Sequence, residues 1–99
     1  MKYDFTPKKT SRKEALRDML HSRLVYWTGY TRTALQAGDA DQEELLFCSD
    51  MLSRCLTEYS LSRVYMWPNE KETYAERAAE AVSKQLGELL KDYMLESMT

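Results

Sequence analysis

Three short polar residues, each followed three places on by a glutamate, divide this chain into near-equal thirds: Ser11 with Glu14, Asp41 with Glu44, and Asn69 with Glu72. At the start of a helix the short side chain accepts an orphan backbone N–H, and the glutamate can reach back to the N–H of the capping residue while favouring the positive end of the helix dipole. Three helix starts are therefore written into the sequence, each cap worth roughly 0.5–2 kcal/mol. Three glycines and two prolines among 99 residues leave little material for the tight turns of a sandwich or barrel. The spacing predicts an all-α fold.

Hydrophobic periodicity fills in the segments. A first helix over about 12–37 carries Leu16, Met19, Leu20, Leu24, Trp27, Tyr30 and Ala34 at three-and-four spacing and stops at Gly38. The run Trp27-Thr28-Gly29-Tyr30-Thr31 has low helix propensity and predicts a kink near Gly29. A second helix over about 42–66 turns Leu45, Cys48, Leu52, Cys55, Leu56, Tyr59 and Met66 inward and ends at Trp67-Pro68. A third, over about 70–95, turns Tyr74, Ala78, Val82, Leu86, Leu89 and Tyr93 inward and sends Glu76, Glu80, Lys84, Glu88 and Lys91 to solvent. Its alanines Ala75, Ala78, Ala79 and Ala81 leave room for Trp27 or Trp67.

Helices of this length joined by a few residues must lie antiparallel to their sequence neighbours. The expectation is an elongated antiparallel three-helix bundle, residues 11–99, preceded by a short arm, residues 1–10. Its core is expected to hold Leu20, Leu24, Trp27, Leu52, Cys55, Tyr59, Val82, Leu86 and Leu89.

Charge is unevenly spread. Residues 1–38 carry eight basic and three acidic side chains, net +5, whereas residues 39–99 carry six and thirteen, net −7. A cationic first third either meets the acidic faces of the other helices or takes an anionic partner. Cys48 and Cys55 lie seven apart, two turns of one helix, too far for a disulfide, and read as buried structural thiols in a reducing cytoplasm. No apolar run approaches the ~18–20 residues of a membrane span, and no secretory h-region follows Met1.

Catalytic chemistry has little to work with. His21 is the single histidine and falls away from the apolar stripe. Phosphate-loop, zinc and calcium patterns are absent, so the reading is a non-enzymatic chain without metal or cofactor. Arg23 and Arg63 project within the apolar stripes and must find an acceptor, either a carboxylate on a neighbouring helix or an anion held with Tyr26, Tyr30 or Tyr59.

The second helix carries the most informative departure from a simple bundle. A helix with two neighbours normally keeps its outward arc polar. Here that arc holds Phe47, Leu61 and Tyr65, with Leu46 and Val64 at its margin, interrupted by Glu43, Asp50, Arg54 and Glu58. Phe47, Arg54, Leu61, Tyr65 and Trp67 are the candidate partner-binding residues, since exposed apolar patches mark interfaces and Trp, Tyr and Arg anchor them. The expected partner is a protein, either a second copy in a homodimer or a larger target that the chain holds and inhibits. Size and style, with no residue motif, suit an accessory protein of a phage or mobile element. The alternative is nucleic acid or another phosphate ligand at Lys8, Lys9, Arg12, Lys13, Arg17 and Arg23, beside Tyr3 and Phe5.

Overall fold

The computed structural model describes residues 11–98. The arm with Tyr3, Phe5, Lys8 and Lys9 lies outside them. Three helices follow in order, α1 Arg12–Ala37, α2 Gln42–Met66 and α3 Tyr74–Met98, and all three pack on one another.

The directions follow from which residues meet. Along the α1–α2 seam Arg23 meets Glu58, Trp27 meets Phe47 and Tyr30 meets Glu44, so partner numbers fall as α1 numbers rise. One apolar cluster joins Leu20 and Leu24 of α1 to Leu52, Cys55 and Tyr59 of α2 and to Ala79 and Val82 of α3. A second joins Leu45 and Cys48 to Leu86 and Leu90, with Leu35 and Ala40 against it. The start of α2 thus packs on the end of α3, which gives the up-down-up bundle expected.

The first two helix ends form as the sequence implies. Ser11 Oγ accepts from the Glu14 N–H at 3.2 Å, and Asp41 Oδ1 accepts from the Glu44 N–H at 2.8 Å. Gly38 closes α1 in the left-handed region at φ 73°, with its N–H on the Ala34 carbonyl. The glutamates do not reach back as a full capping box requires. Glu14 meets the Ser11 hydroxyl, and Glu44 accepts from the Tyr30 hydroxyl at 3.1 Å instead.

The third helix start is corrected. Pro68 and Asn69 occupy the centre of a turn closed by the Glu70 N–H on the Trp67 carbonyl at 2.9 Å. Proline and asparagine suit those two positions, so Asn69 serves the turn and caps nothing. The cap is Thr73, whose Oγ1 accepts from the Glu76 N–H while Glu76 Oε1 accepts from the Thr73 N–H at 3.0 Å. This is the reciprocal box, four residues later than expected. Thr73→Ala should accordingly cost roughly 0.5–2 kcal/mol and Asn69→Ala much less as a helix cap, a contrast that urea unfolding of the two variants measures directly.

Four further expectations change. α1 runs unbroken through Gly29, which keeps helical φ. The α1 stripe passes through buried Thr28 and Thr31, leaving Met19 and Tyr30 exposed. Thr28 Oγ1 donates back to the Leu24 carbonyl at 2.7 Å, and the buried Thr31 hydroxyl lies beside the Cys48 thiol. Of the expected core, Trp27 and Leu89 are only half-buried, and Leu90 takes the closed position on α3. Tyr74 stands exposed, because α3 begins at it, and Glu76 is fully buried.

Candidate functional site

The buried Glu76 organises one end of the bundle. Arg63 forks onto it from α2, Nε to Oε1 at 2.7 Å and Nη2 to Oε2 at 2.9 Å. Ser60 Oγ donates to Oε2 at 2.7 Å, and the Thr73 N–H and hydroxyl complete the set. Burial pushes the carboxyl pKa up, but the Arg63, Thr73 and Ser60 hydrogen bonds outweigh it and hold the group at about 2. Arg63 also donates to the Glu70 carbonyl at 3.1 Å, and the Glu70 carboxylate takes two hydrogen bonds from Arg17 of α1. Arg17 lies over the Trp67 ring, 4.5 Å from its centroid, with Lys13 on the same ring at 5.5 Å. All three helices are tied at this end, and Arg63 is committed to a carboxylate within the chain.

The remaining cations of the basic first third are placed as follows. Arg23 bonds Glu58 of α2 at 2.9 Å, and Arg17 is held by Glu70. Arg12 and Lys13 stand exposed on the first turn of α1. His21 is exposed and edge-on to Tyr59, 5.8 Å between centroids.

Cys48 and Cys55 are free thiols buried in the core, and burial raises both above the ordinary thiol pKa. That leaves them in the protonated, weakly nucleophilic form. Among the described residues no group of three or more His, Cys, Asp or Glu side chains is placed to hold a metal ion, and no helix is long and apolar enough to cross a membrane.

The outer face of α2 is exposed along its length. Phe47 is 53% exposed, Leu61 50% and Tyr65 80%, and Leu46 and Val64 are similarly open. These residues form two clusters, Leu46 with Phe47 near the start and Leu61, Val64 and Tyr65 near the end. Fourteen residues from Phe47 to Leu61 span about 21 Å of helix. Between them Arg54 Nε bonds Asp50 Oδ1 at 3.2 Å on the same face.

Two members of the expected patch differ in their surroundings. Trp67 is half-buried beneath Arg17, alongside Leu20, Tyr59 and Ser62, and does not join the α2 surface. Phe47 touches α1, its ring edge-on to Trp27 at 5.5 Å. Trp27 in turn contacts Tyr26 at 5.2 Å and Tyr30 at 5.3 Å, which extends the apolar surface from α2 onto α1. The signal for this extension was present in the aromatic residues 26, 27 and 30, since Tyr30 stands four places after Tyr26 and three after Trp27.

A separate cleft of about 700 Å³ opens between α1 and α3. Val25, Thr28 and Gly29 line one wall and Ala75 and Ala78 the other, with His21, Arg32 and Tyr74 at the rim. The small residues of α3 therefore border open space there, while Trp27 turns to Phe47 and Trp67 to Arg17.

Fold and surface together define a three-helix bundle whose middle helix presents large apolar side chains to solvent. No family model, curated protein or solved structure matches the chain.

Proposed function

We propose that the protein is a non-enzymatic binding protein that engages a protein partner through the outer face of α2. The observation that carries this reading is the exposure of Phe47, Leu61 and Tyr65 on a helix whose opposite face is fully buried. Full burial of such a side chain is worth roughly 1.5–3 kcal/mol, of which Phe47 and Leu61 forgo about half and Tyr65 most. Exposed apolar clusters on one helix face mark an interface, and the adjoining Tyr26, Trp27 and Tyr30 enlarge the one at Phe47 with residue types that anchor hot spots. The partner is a second copy of the chain or a larger protein whose working surface the bundle occludes, the mode of an inhibitor or accessory protein. The ties of Ser60 and Arg63 to Glu76 hold the α2 segment that presents Leu61, Val64 and Tyr65.

Phe47→Glu and Tyr65→Glu test the reading. Both variants should keep the helical circular dichroism of the wild type, with Tyr65→Glu melting within a few degrees of it. Light scattering after size exclusion, and affinity capture from cells compared across the three proteins, should show association that the wild type has and both variants lose. Strong destabilisation by both would mean that the face is covered within the chain, and would overturn the proposal.

A further inference from the structure

The outer face of α2 matches itself when turned end for end, and on that basis, resting on the reading above, we propose that its occupant is a second copy of the chain, docked antiparallel about a two-fold axis level with Leu56. Phe47 lies nine residues before Leu56 and Tyr65 nine after; Arg54 lies two before and Glu58 two after. A second α2 laid antiparallel about that level sets Phe47 against the partner's Tyr65 and Arg54 against the partner's Glu58. Each contact occurs twice, as an isologous interface requires.

The spacing of the face supports the same geometry. Phe47, Asp50, Arg54, Thr57, Leu61 and Val64 are all exposed and succeed one another at intervals of three and four residues. That is the seam of a two-stranded coiled coil, here on the side of the helix away from its own bundle. Turned antiparallel about the level of Leu56, the face brings Phe47 against the partner's Tyr65 with Val64 beside it, and Asp50 against the partner's Ser62 with Leu61 beside it. At the edge of the seam Arg54 lies opposite the partner's Glu58; each already has an ion partner in its own chain, Asp50 and Arg23, and both stay exposed enough to take a second one across the interface.

Two competing pairings set like charges together. A parallel pair stacks Arg54 on the partner's Arg54 and Asp50 on the partner's Asp50. An antiparallel pair centred on Arg54 sets that arginine against its own copy and Asp50 against the partner's Glu58. Like charges directly opposite suppress wrong pairings. One helix pair gives an interface at the small end, below roughly 1,200 Å², which corresponds to a weak dimer that a polar centre holds in register.

Cross-linking reads both orientation and register. Phe47→Cys and Tyr65→Cys, one carrying a size tag, are mixed and mildly oxidised, with the wild type as control for buried Cys48 and Cys55. The expected product joins the Phe47→Cys chain to the Tyr65→Cys chain. Either variant with itself should cross-link poorly, because equivalent positions sit about 27 Å apart in this register, against the ~7 Å Cα limit of a disulfide. A second measurement does not depend on Phe47, which touches α1. Arg54→Glu and Glu58→Arg should each weaken self-association about tenfold, and an equimolar mixture of the two should associate again as a heterodimer, since both charge pairs are then restored. Preferential cross-linking of Phe47→Cys to itself, or no recovery on mixing, overturns the antiparallel pair. Wild-type protein that is monomeric at roughly 1 mM also overturns it. In that case the broader reading stands or falls separately, on whether Tyr65→Glu loses another captured protein while remaining folded.

Discussion

Replacing Glu76 by alanine should lower stability by roughly 3–5 kcal/mol, the usual cost of leaving a buried charge without its partner. Arg63 is only 15% exposed at its side chain and would keep a guanidinium with no carboxylate to meet it. The Thr73 N–H would lose its acceptor at the start of α3 as well. In a chain of this size each kcal/mol corresponds to about 4–8 °C, so the variant should melt well over 10 °C below the wild type. Glu76→Gln keeps the shape and removes the charge, which isolates the pH dependence. The wild-type carboxyl sits at about 2 in the folded chain against an ordinary 4.5, so the unfolded chain takes up its proton first as pH falls. The stabilisation from this group, about 3 kcal/mol by linkage, is complete above pH ~4.5 and disappears as pH drops through 2. Urea unfolding at pH 7, 4 and 2.5 should show the gap between wild type and Glu76→Gln closing towards the acid end. A gap that stays constant with pH would show that the Arg63–Glu76 pair does not stabilise the fold through its charge.

That same residue shows where the sequence is a poor guide. In the sequence Glu76 stands between Glu72 and Glu80, in a segment rich in carboxylates, and nothing in its spacing distinguishes it. Its burial depends on Arg63 reaching across from α2 and on the chain reversal at Pro68-Asn69, which moves the helix start from 70 to 74. Asn69-x-x-Glu72 and Thr73-x-x-Glu76 are equally good capping patterns on paper. The turn decides between them, since a residue at the centre of a proline-led turn cannot also cap a helix. The requirement that Arg63 find an acceptor was legible; that it is Glu76 was not.

Other features were legible because a single physical rule governs them. Gly38 must end α1, since a left-handed residue is needed there and glycine alone adopts it without strain. The inner faces of α2 and α3 follow from strict three-and-four spacing of large apolar residues. The register of α1 was harder, because aromatic Tyr30 outranks Thr28 and Thr31 in hydrophobicity yet stands outside them. The two threonines are buried on the inner side of α1, Thr28 with its hydroxyl on its own backbone; the tyrosine finds Glu44 and the aromatic group at the surface. The outer arc of α2 was legible as apolar, but its division into two clusters about a charged centre emerged from the Asp50–Arg54 pair.

Leu52→Ala should cost about 3–5 kcal/mol, a large share of the 5–15 kcal/mol that holds a small domain together. Leu52 is fully buried in the cluster that joins all three helices, against Leu20, Leu24, Cys55, Tyr59, Ala79 and Val82. Its loss removes both the transfer free energy of the side chain and contacts that rigid helices cannot close in to replace. Denaturant unfolding should show a lower midpoint with unchanged slope, the signature of lost stability in a fold that is otherwise retained. The contrast with Tyr65 is the informative part. Both residues lie on α2, thirteen positions apart, yet one is closed off and the other is 80% exposed. Leu52→Ala should therefore unfold the bundle more readily and weaken association only in proportion to the unfolded fraction. Tyr65→Glu should leave the midpoint within about 0.5 kcal/mol of the wild type, as surface changes do, and abolish association outright. Equal loss of stability in the two variants would mean that both faces of α2 are covered within one chain.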